Sequence, residues 1–260
     1  MKKRTISAAI MILIAAPLII LGKIPFALGI GLISIFAFRE IIKLHNYPLI
    51  VKLLSFIGMI TIVYSNFDSK NIINGLDYRV LGLSLLLILL PAIIYQTKNK
   101  YTTDDAFKLY SLVLLVGLGL NFFIIIRDLD LKYFLYIILN TIFTDTFAYI
   151  GGSLIGKHKF TSISPKKTIE GCIVGSLMGT VLMTIFYTTL ISNNNVLLII
   201  LISLLISIMG QIGDLFFSAI KRNHNIKDFS NLIPGHGGVL DRLDSAIFAS
   251  IIFMVLLRYL

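Results

Sequence analysis

Apolar runs, most of them close to the length of helix that crosses a lipid bilayer, follow one another along nearly the whole chain, and short polar stretches separate them. About 20 residues of helix span the hydrocarbon core. On that rule the pattern predicts nine spans, at residues 5–22, 24–38, 49–65, 80–96, 109–126, 133–156, 169–191, 195–220 and 241–260. The second and third are short or carry Lys52 near an end. Pro17, Pro25, Pro48 and Pro91 mark kinks or boundaries, which neighbouring helices accommodate in a membrane.

Composition supports this pattern. The chain is 57% apolar and 14% charged, against about 45–50% and about a quarter in a soluble domain. The expected class is therefore an all-α polytopic membrane protein. A net charge of +10 does not point to nucleic acid here, because the basic residues sit at the ends of apolar segments, where they orient helices and meet anionic head groups. Nine alternating spans put 17 of the 23 Lys and Arg residues on one side. The positive-inside rule then places the N-terminus, and the polar loops after spans six and eight, in the cytoplasm. The single Cys172 rules out an internal disulfide and a zinc cluster and reads as a small packing residue. Met1–Arg4 and the apolar run after them resemble a signal peptide, but further spans follow and no small-x-small cleavage site appears, so the segment is read as an uncleaved first span.

Polar chemistry divides the chain into two parts. Residues 1–126 read as a transmembrane scaffold without assigned chemistry, their acids Glu40, Asp68, Asp77, Asp104 and Asp105 being solvated loop charges beside basic residues. Residues 127–260 read as the catalytic region, with cytoplasmic loops 157–168 and 221–240. There Asp145 lies well inside span six, Glu170 opens span seven, Asp214 lies inside span eight, and Asp241 and Asp244 open span nine. Asp145 and Glu170 are 25 residues apart and Asp214 and Asp241 are 27, a similarity compatible with a parallel internal repeat. Gly151–Lys157 matches the first seven positions of a phosphate-binding loop, but His158 replaces the magnesium-binding Ser or Thr and a membrane helix replaces the strand, so the match is read as accidental. Gly171, Gly175 and Gly179 form a small-residue stripe for close helix packing, within one chain or between the subunits of a homodimer.

Carboxylates inside apolar helices are costly unless they meet a metal, a cation or water, which makes them candidates for function. At helical spacing Gln211, Asp214, Ser218 and Lys221 share one face, with Asp214 roughly 10 Å deeper than Lys221 at 1.5 Å per residue. Asp241, Asp244 and Ser245 share a face of the next helix, which enters from the same side. Such a set suits a hard cation such as magnesium, which takes few carboxylates and retains waters and substrate phosphates. Lys166, Lys167, Lys221, Arg222 and Arg242 lie around it, and Gly237 and Gly238 let backbone N–H groups approach a phosphate at the start of span nine. Acids for a metal and bases for phosphate oxygens are what phosphoryl or nucleotidyl transfer requires.

Four segments then carry a resemblance. Ser218-x-Ile-Lys221-Arg222, Lys227-Asp228, Pro234-x-His236-Gly237-Gly238 and Asp241-Arg242-x-Asp244 together resemble the signature of the phosphatidate cytidylyltransferases, the CDP-diacylglycerol synthases. Asp145–Tyr149 and Ser164–Gly171 are similar to further family segments. The resemblance implies that CTP and phosphatidate become CDP-diacylglycerol and pyrophosphate in a bacterial-type inner membrane. It implies Asp214 and Asp241 as metal carboxylates with Asp244 in support, Ser218 beside them, and magnesium with a neighbouring potassium ion. Lys166, Lys167, Lys221, Arg222 and Arg242 would hold phosphates, and His236, Gly237 and Gly238 would shape the nucleotide end. A CTP-dependent polyprenol or phytol kinase and a cation-coupled transporter are the rival classes; transporter sites lie near the midplane, whereas these acids gather towards one face.

Overall fold

The computed structural model describes residues 2–65, 77–98, 100–192 and 195–260; Asp68, read above as a loop charge, lies outside them. Along the described residues run α1 (Lys2–Leu21), α2 (Lys23–Ile42), α3 (Leu49–Val63), α4 (Tyr78–Tyr95), α5 (Thr103–Leu129), α6 (Leu131–Ile155), α7 (Ile169–Leu190), α8 (Val196–Asn223) and α9 (Leu240–Leu256). No strand occurs among them; Lys159 with Thr168, and Ile233 with Gly237, form isolated antiparallel bridges. Each expected span coincides with one helix. Six of these, α2 and α4 to α8, are long and apolar enough to cross a membrane, whereas α1 and α3 carry the shorter apolar stretches Ala9–Leu21 and Leu49–Val63, and α9 has 17 residues.

Local chemistry accounts for several helix starts. Asp77 accepts from the Arg79 N–H and Asp130 from the Lys132 N–H, at the starts of α4 and α6. Thr168 and Asn195 accept from Gly171 and Leu198, starting α7 and α8. Each such cap satisfies a donor that the helix leaves orphaned and contributes about 1 kcal/mol. At α5, Thr102 Oγ1 accepts from the Asp105 N–H at 3.2 Å while Asp105 Oδ2 accepts from the Thr102 N–H at 3.0 Å, a reciprocal capping box. Asp77 and Asp105 are therefore helix caps and not simply solvated charges.

The chain forms two compact units, one of Met1–Asp128 with Phe229–Leu240, the other of Leu129–Asp228 with Asp241–Leu260. In the first, α1 turns into α2 at Gly22, whose φ of 63° lies in the left-handed region. Arg127 caps the end of α1 there, donating to the Ile19 carbonyl at 2.5 Å and the Ile20 carbonyl at 2.8 Å. Its guanidinium lies 2.7 Å from where a Cβ on residue 22 would stand. Glycine meets both the backbone and the steric requirement. α2 extends beyond the expected end at residue 38 because Ile41 and Ile42 prolong the apolar run past Arg39 and Glu40, and Glu40 is only 3% exposed. The reading of Glu40 as a solvated loop charge is thus corrected.

In the second unit α6 packs along α7 through the glycine stripe. A Cβ on Gly171 would stand 2.6 Å from the Ala148 carbonyl oxygen, and one on Gly175 the same distance from that of Thr144. The stripe brings two backbones together within one chain, as small residues do between membrane helices. Polar bonds tie α6 to α8: Tyr136 Oη with Ser203 Oγ at 2.6 Å, Asn140 Nδ2 donating to the Ser203 carbonyl at 3.1 Å, and Thr144 Oγ1 with Ser207 Oγ at 2.8 Å. Pairing of this kind offsets the cost of burying polar groups in apolar surroundings.

Candidate active site

Asp145 and Asp214 lie inside α6 and α8, whereas Asp241 stands at the start of α9. Asp241 is in the first turn of α9, facing the positive end of the helix dipole, and Lys221 and Arg222 are in the last turn of α8, at the negative end. These two ends meet. Lys221 Nζ donates to Asp241 Oδ1 at 2.6 Å, with the two side chains 9% and 3% exposed. One further ion pair lies deeper along α8, between Lys167 Nζ, from the loop before α7, and Asp214 Oδ2, also at 2.6 Å.

The expected face of α8 is present. Ser218 Oγ donates to Asp214 Oδ1 at 3.4 Å, and Gln211 Nε2 donates to the Cys172 carbonyl at 3.1 Å and to Ser176 Oγ at 2.7 Å on α7. α8 and α9 approach closely, since a Cβ on Gly213 would lie 2.7 Å from the Asp244 carbonyl oxygen. Asp244 is buried and within electrostatic reach of Asp214, Asp145 and Lys221. Asp145 is in turn within reach of Lys167 and Arg242. Four carboxylates and their cations therefore share one neighbourhood built by α6, α8, α9 and the loop before α7.

Other basic residues remain outward. Lys166 and Arg242 are exposed, and the exposed Arg222 donates to the Ile163 carbonyl at 3.4 Å and the Ile226 carbonyl at 2.9 Å, bracing the two polar loops of the unit. Glu170 closes the turn after α6, accepting from the backbone N–H of Lys157 and His158 and lying 2.5 Å from His158 Nδ1. Residues 151–155 are the last turn of α6, and Gly156 ends the helix. Among the described residues no three Asp, Glu, His or Cys side chains are gathered as a ready metal shell; Asp214 and Asp241 instead face lysine ammonium groups.

An apolar groove of about 340 Å³ runs between α7 and α8, lined by Ile169, Cys172, Ile173, Leu177, Ile208 and Ile212 among others. Cys172 on its wall is within electrostatic reach of Lys167, Asp214 and Asp145. Apolar surface thus adjoins the charged cluster.

His236, Gly237 and Gly238 belong to the first unit. Gly235 and Gly237 have φ of 80° and 84°, which fold the loop into a tight turn bridged by Ile233 and Gly237. Ser7 of α1 donates to the Pro234 carbonyl at 3.0 Å and lies 2.8 Å from His236 Nδ1. Glu40 of α2 accepts from Ser230 Oγ and from the N–H groups of Val239 and Leu240. Sequence reasoning missed both Ser7 and Glu40. A signal existed for Glu40, an acid followed by Ile41-Ile42 within an apolar run.

The model of the Cytidylyltransferase family matches residues 2–260. The chain is 34% identical over 260 residues to a phosphatidate cytidylyltransferase of Staphylococcus haemolyticus, with 99% of each chain covered. It is 33% identical over 263 residues to one of Staphylococcus epidermidis, again with 99% of each covered. With a Bacillus subtilis protein of the same name the identity is 34% over 259 residues, covering 95% of this chain and 94% of the other.

Proposed function

The chain belongs to the cytidylyltransferase family, and from that premise we propose that it transfers CMP from CTP to phosphatidate, at the cytoplasmic face of a bacterial-type inner membrane. An oxygen of the lipid phosphate forms a bond to the α-phosphorus of CTP while the bond from that phosphorus to the bridging oxygen of the β-phosphate breaks. CDP-diacylglycerol and pyrophosphate result. No side-chain nucleophile is needed, because the attacking group is already an anion and catalysis rests on positioning and charge stabilisation.

The observation that carries this reading is the pair of 2.6 Å ion contacts, Lys167 with Asp214 and Lys221 with Asp241, at the meeting of α8 with its neighbours. Lysines held by carboxylates are preorganised cations. They stand ready to neutralise phosphate oxygens when two anionic reactants must be brought together. The exposed Lys166, Arg222 and Arg242 extend the same positive field outward, and the adjoining apolar groove suits the acyl part of an amphiphile. His236, Gly237 and Gly238 are assigned to the nucleotide end.

Magnesium fits the donor set. Asp214, Asp241 and Asp244 offer hard oxygen ligands, with the Ser218 hydroxyl beside Asp214, and two of these acids already hold a cationic group at 2.6 Å. An ion that completes its shell with waters and substrate phosphates needs only one or two protein carboxylates. When bound it would draw charge from the phosphate oxygens around the reacting phosphorus.

Purified protein mixed with phosphatidate and CTP labelled in the α-phosphate tests the reading. Label is expected in the lipid, with pyrophosphate released and magnesium required, and Asp214→Asn or Asp241→Asn is expected to abolish the product while the protein still inserts. Free CDP with a phosphorylated lipid would mark a kinase instead. Full turnover in both variants would remove the carboxylates from the chemistry.

A further inference from the structure

Glu40 lies near the end of α2, in the half of the chain whose sequence shows no catalytic pattern. Its carboxylate receives three hydrogen bonds from the loop before α9: Ser230 Oγ to Oε1 at 2.6 Å, the Val239 N–H to Oε1 at 2.8 Å, and the Leu240 N–H to Oε2 at 2.8 Å. Gly238 makes room for this approach, since a Cβ there would stand 2.7 Å from the Glu40 carboxyl carbon. All of these residues lie in one compact unit.

Leu240 is the first residue of α9 and Asp241 is the next. The first N–H groups of a helix have no partner within it and carry the positive end of its dipole. A buried carboxylate across those groups answers both needs. Its reach over two successive N–H groups fixes the backbone of Val239 and Leu240 with charge-assisted bonds.

We propose that Glu40 is a positioning residue for the transfer reaction: it caps the start of α9 at Leu240 and holds the backbone of Val239 and Leu240, which directly precede Asp241 in the chain. Glu40 does not touch the reacting atoms. It acts through the register of Val239 and Leu240, immediately ahead of the acid that pairs with Lys221. The inference rests on the activity proposed above for its kinetic part, and on the hydrogen bonds alone for its structural part.

The test uses the full chain purified in detergent, with Glu40→Gln, Glu40→Ala, Ser230→Ala and the double variant Glu40→Gln/Ser230→Ala. Glutamine keeps the shape but turns an NH2 group towards one of the donors. The expected result for Glu40→Gln is a fall in kcat of about 10- to 100-fold, the factor for losing charge-assisted bonds. KM for CTP should move by less than about threefold, which separates positioning from nucleotide binding. Ser230→Ala should lower kcat by no more than about threefold and add little to Glu40→Gln, because the two share one network. Hydrogen–deuterium exchange over residues 229–244 should show Val239 and Leu240 exchanging at least about tenfold faster in both Glu40 variants, while the unfolding midpoint shifts by only a few degrees. A Glu40→Gln protein with kcat within twofold of the parent overturns the proposal, as does a kcat loss matched by the unfolded fraction. Unchanged exchange at Val239 and Leu240 overturns it too. If the parent itself makes no CDP-lipid, the assigned reaction fails, and the exchange result still decides whether Glu40 caps α9.

Discussion

Removing one member of the Lys221–Asp241 pair should cost more stability than removing both. The two side chains meet at 2.6 Å and are almost fully buried, at 9% and 3% exposure. At an effective dielectric near 20 their attraction is about 6 kcal/mol, most of it offset by the cost of taking both charges out of water. Lys221→Met leaves the Asp241 carboxylate buried without this ammonium, and Asp241→Asn leaves the ammonium without this carboxylate. Each single change should therefore destabilise by roughly 3–5 kcal/mol, whereas the double change, which removes both charges, should cost no more than about 2 kcal/mol. The coupling energy from the double-mutant cycle then comes to several kcal/mol. The assay is denaturant unfolding of purified protein in mixed micelles, with the midpoint and slope fitted for all four proteins. Turnover is measured alongside, and all three variants should lack it, because both residues are assigned to the chemistry. Single variants that lose less than about 1 kcal/mol each and combine additively would refute the reasoning, since no buried ion pair behaves in that way.

Gly175→Val should destabilise by roughly 2–3 kcal/mol, because its Cβ would lie 2.6 Å from the Thr144 carbonyl oxygen and α6 and α7 would have to part. Gly82→Ala on α4, where nothing lies within 4 Å of the new Cβ, should be neutral or stabilising by up to about 1 kcal/mol; thermal unfolding of the two variants together checks the contrast. Ile173→Trp, which fills part of the groove between α7 and α8, should raise KM for phosphatidate about three- to tenfold and leave KM for CTP unchanged, and equal effects on both substrates would detach the groove from the lipid.

The helices were legible from the chain because long apolar runs read as helices, and six of the nine expected spans, α2 and α4 to α8, have the length and polarity that a hydrocarbon core demands. The acids of the second half were legible for the related reason that charge is rare in such helices and is kept only with a partner. Caps such as Asp77 and the Thr102–Asp105 box are local patterns, readable within a few residues, and were passed over as loop charge. The partners themselves were not legible. An acid at a helix end looks the same in sequence whether water, a lysine or a backbone amide faces it. That Lys167 pairs with Asp214, that Lys221 pairs with Asp241, and that Glu40 reaches Val239 and Leu240 some two hundred residues away depend on which helices and loops meet. Spacing along one helix orders the side chains on its own face, whereas meetings between helices arise from packing, such as the contact that Gly171 and Gly175 permit between α6 and α7.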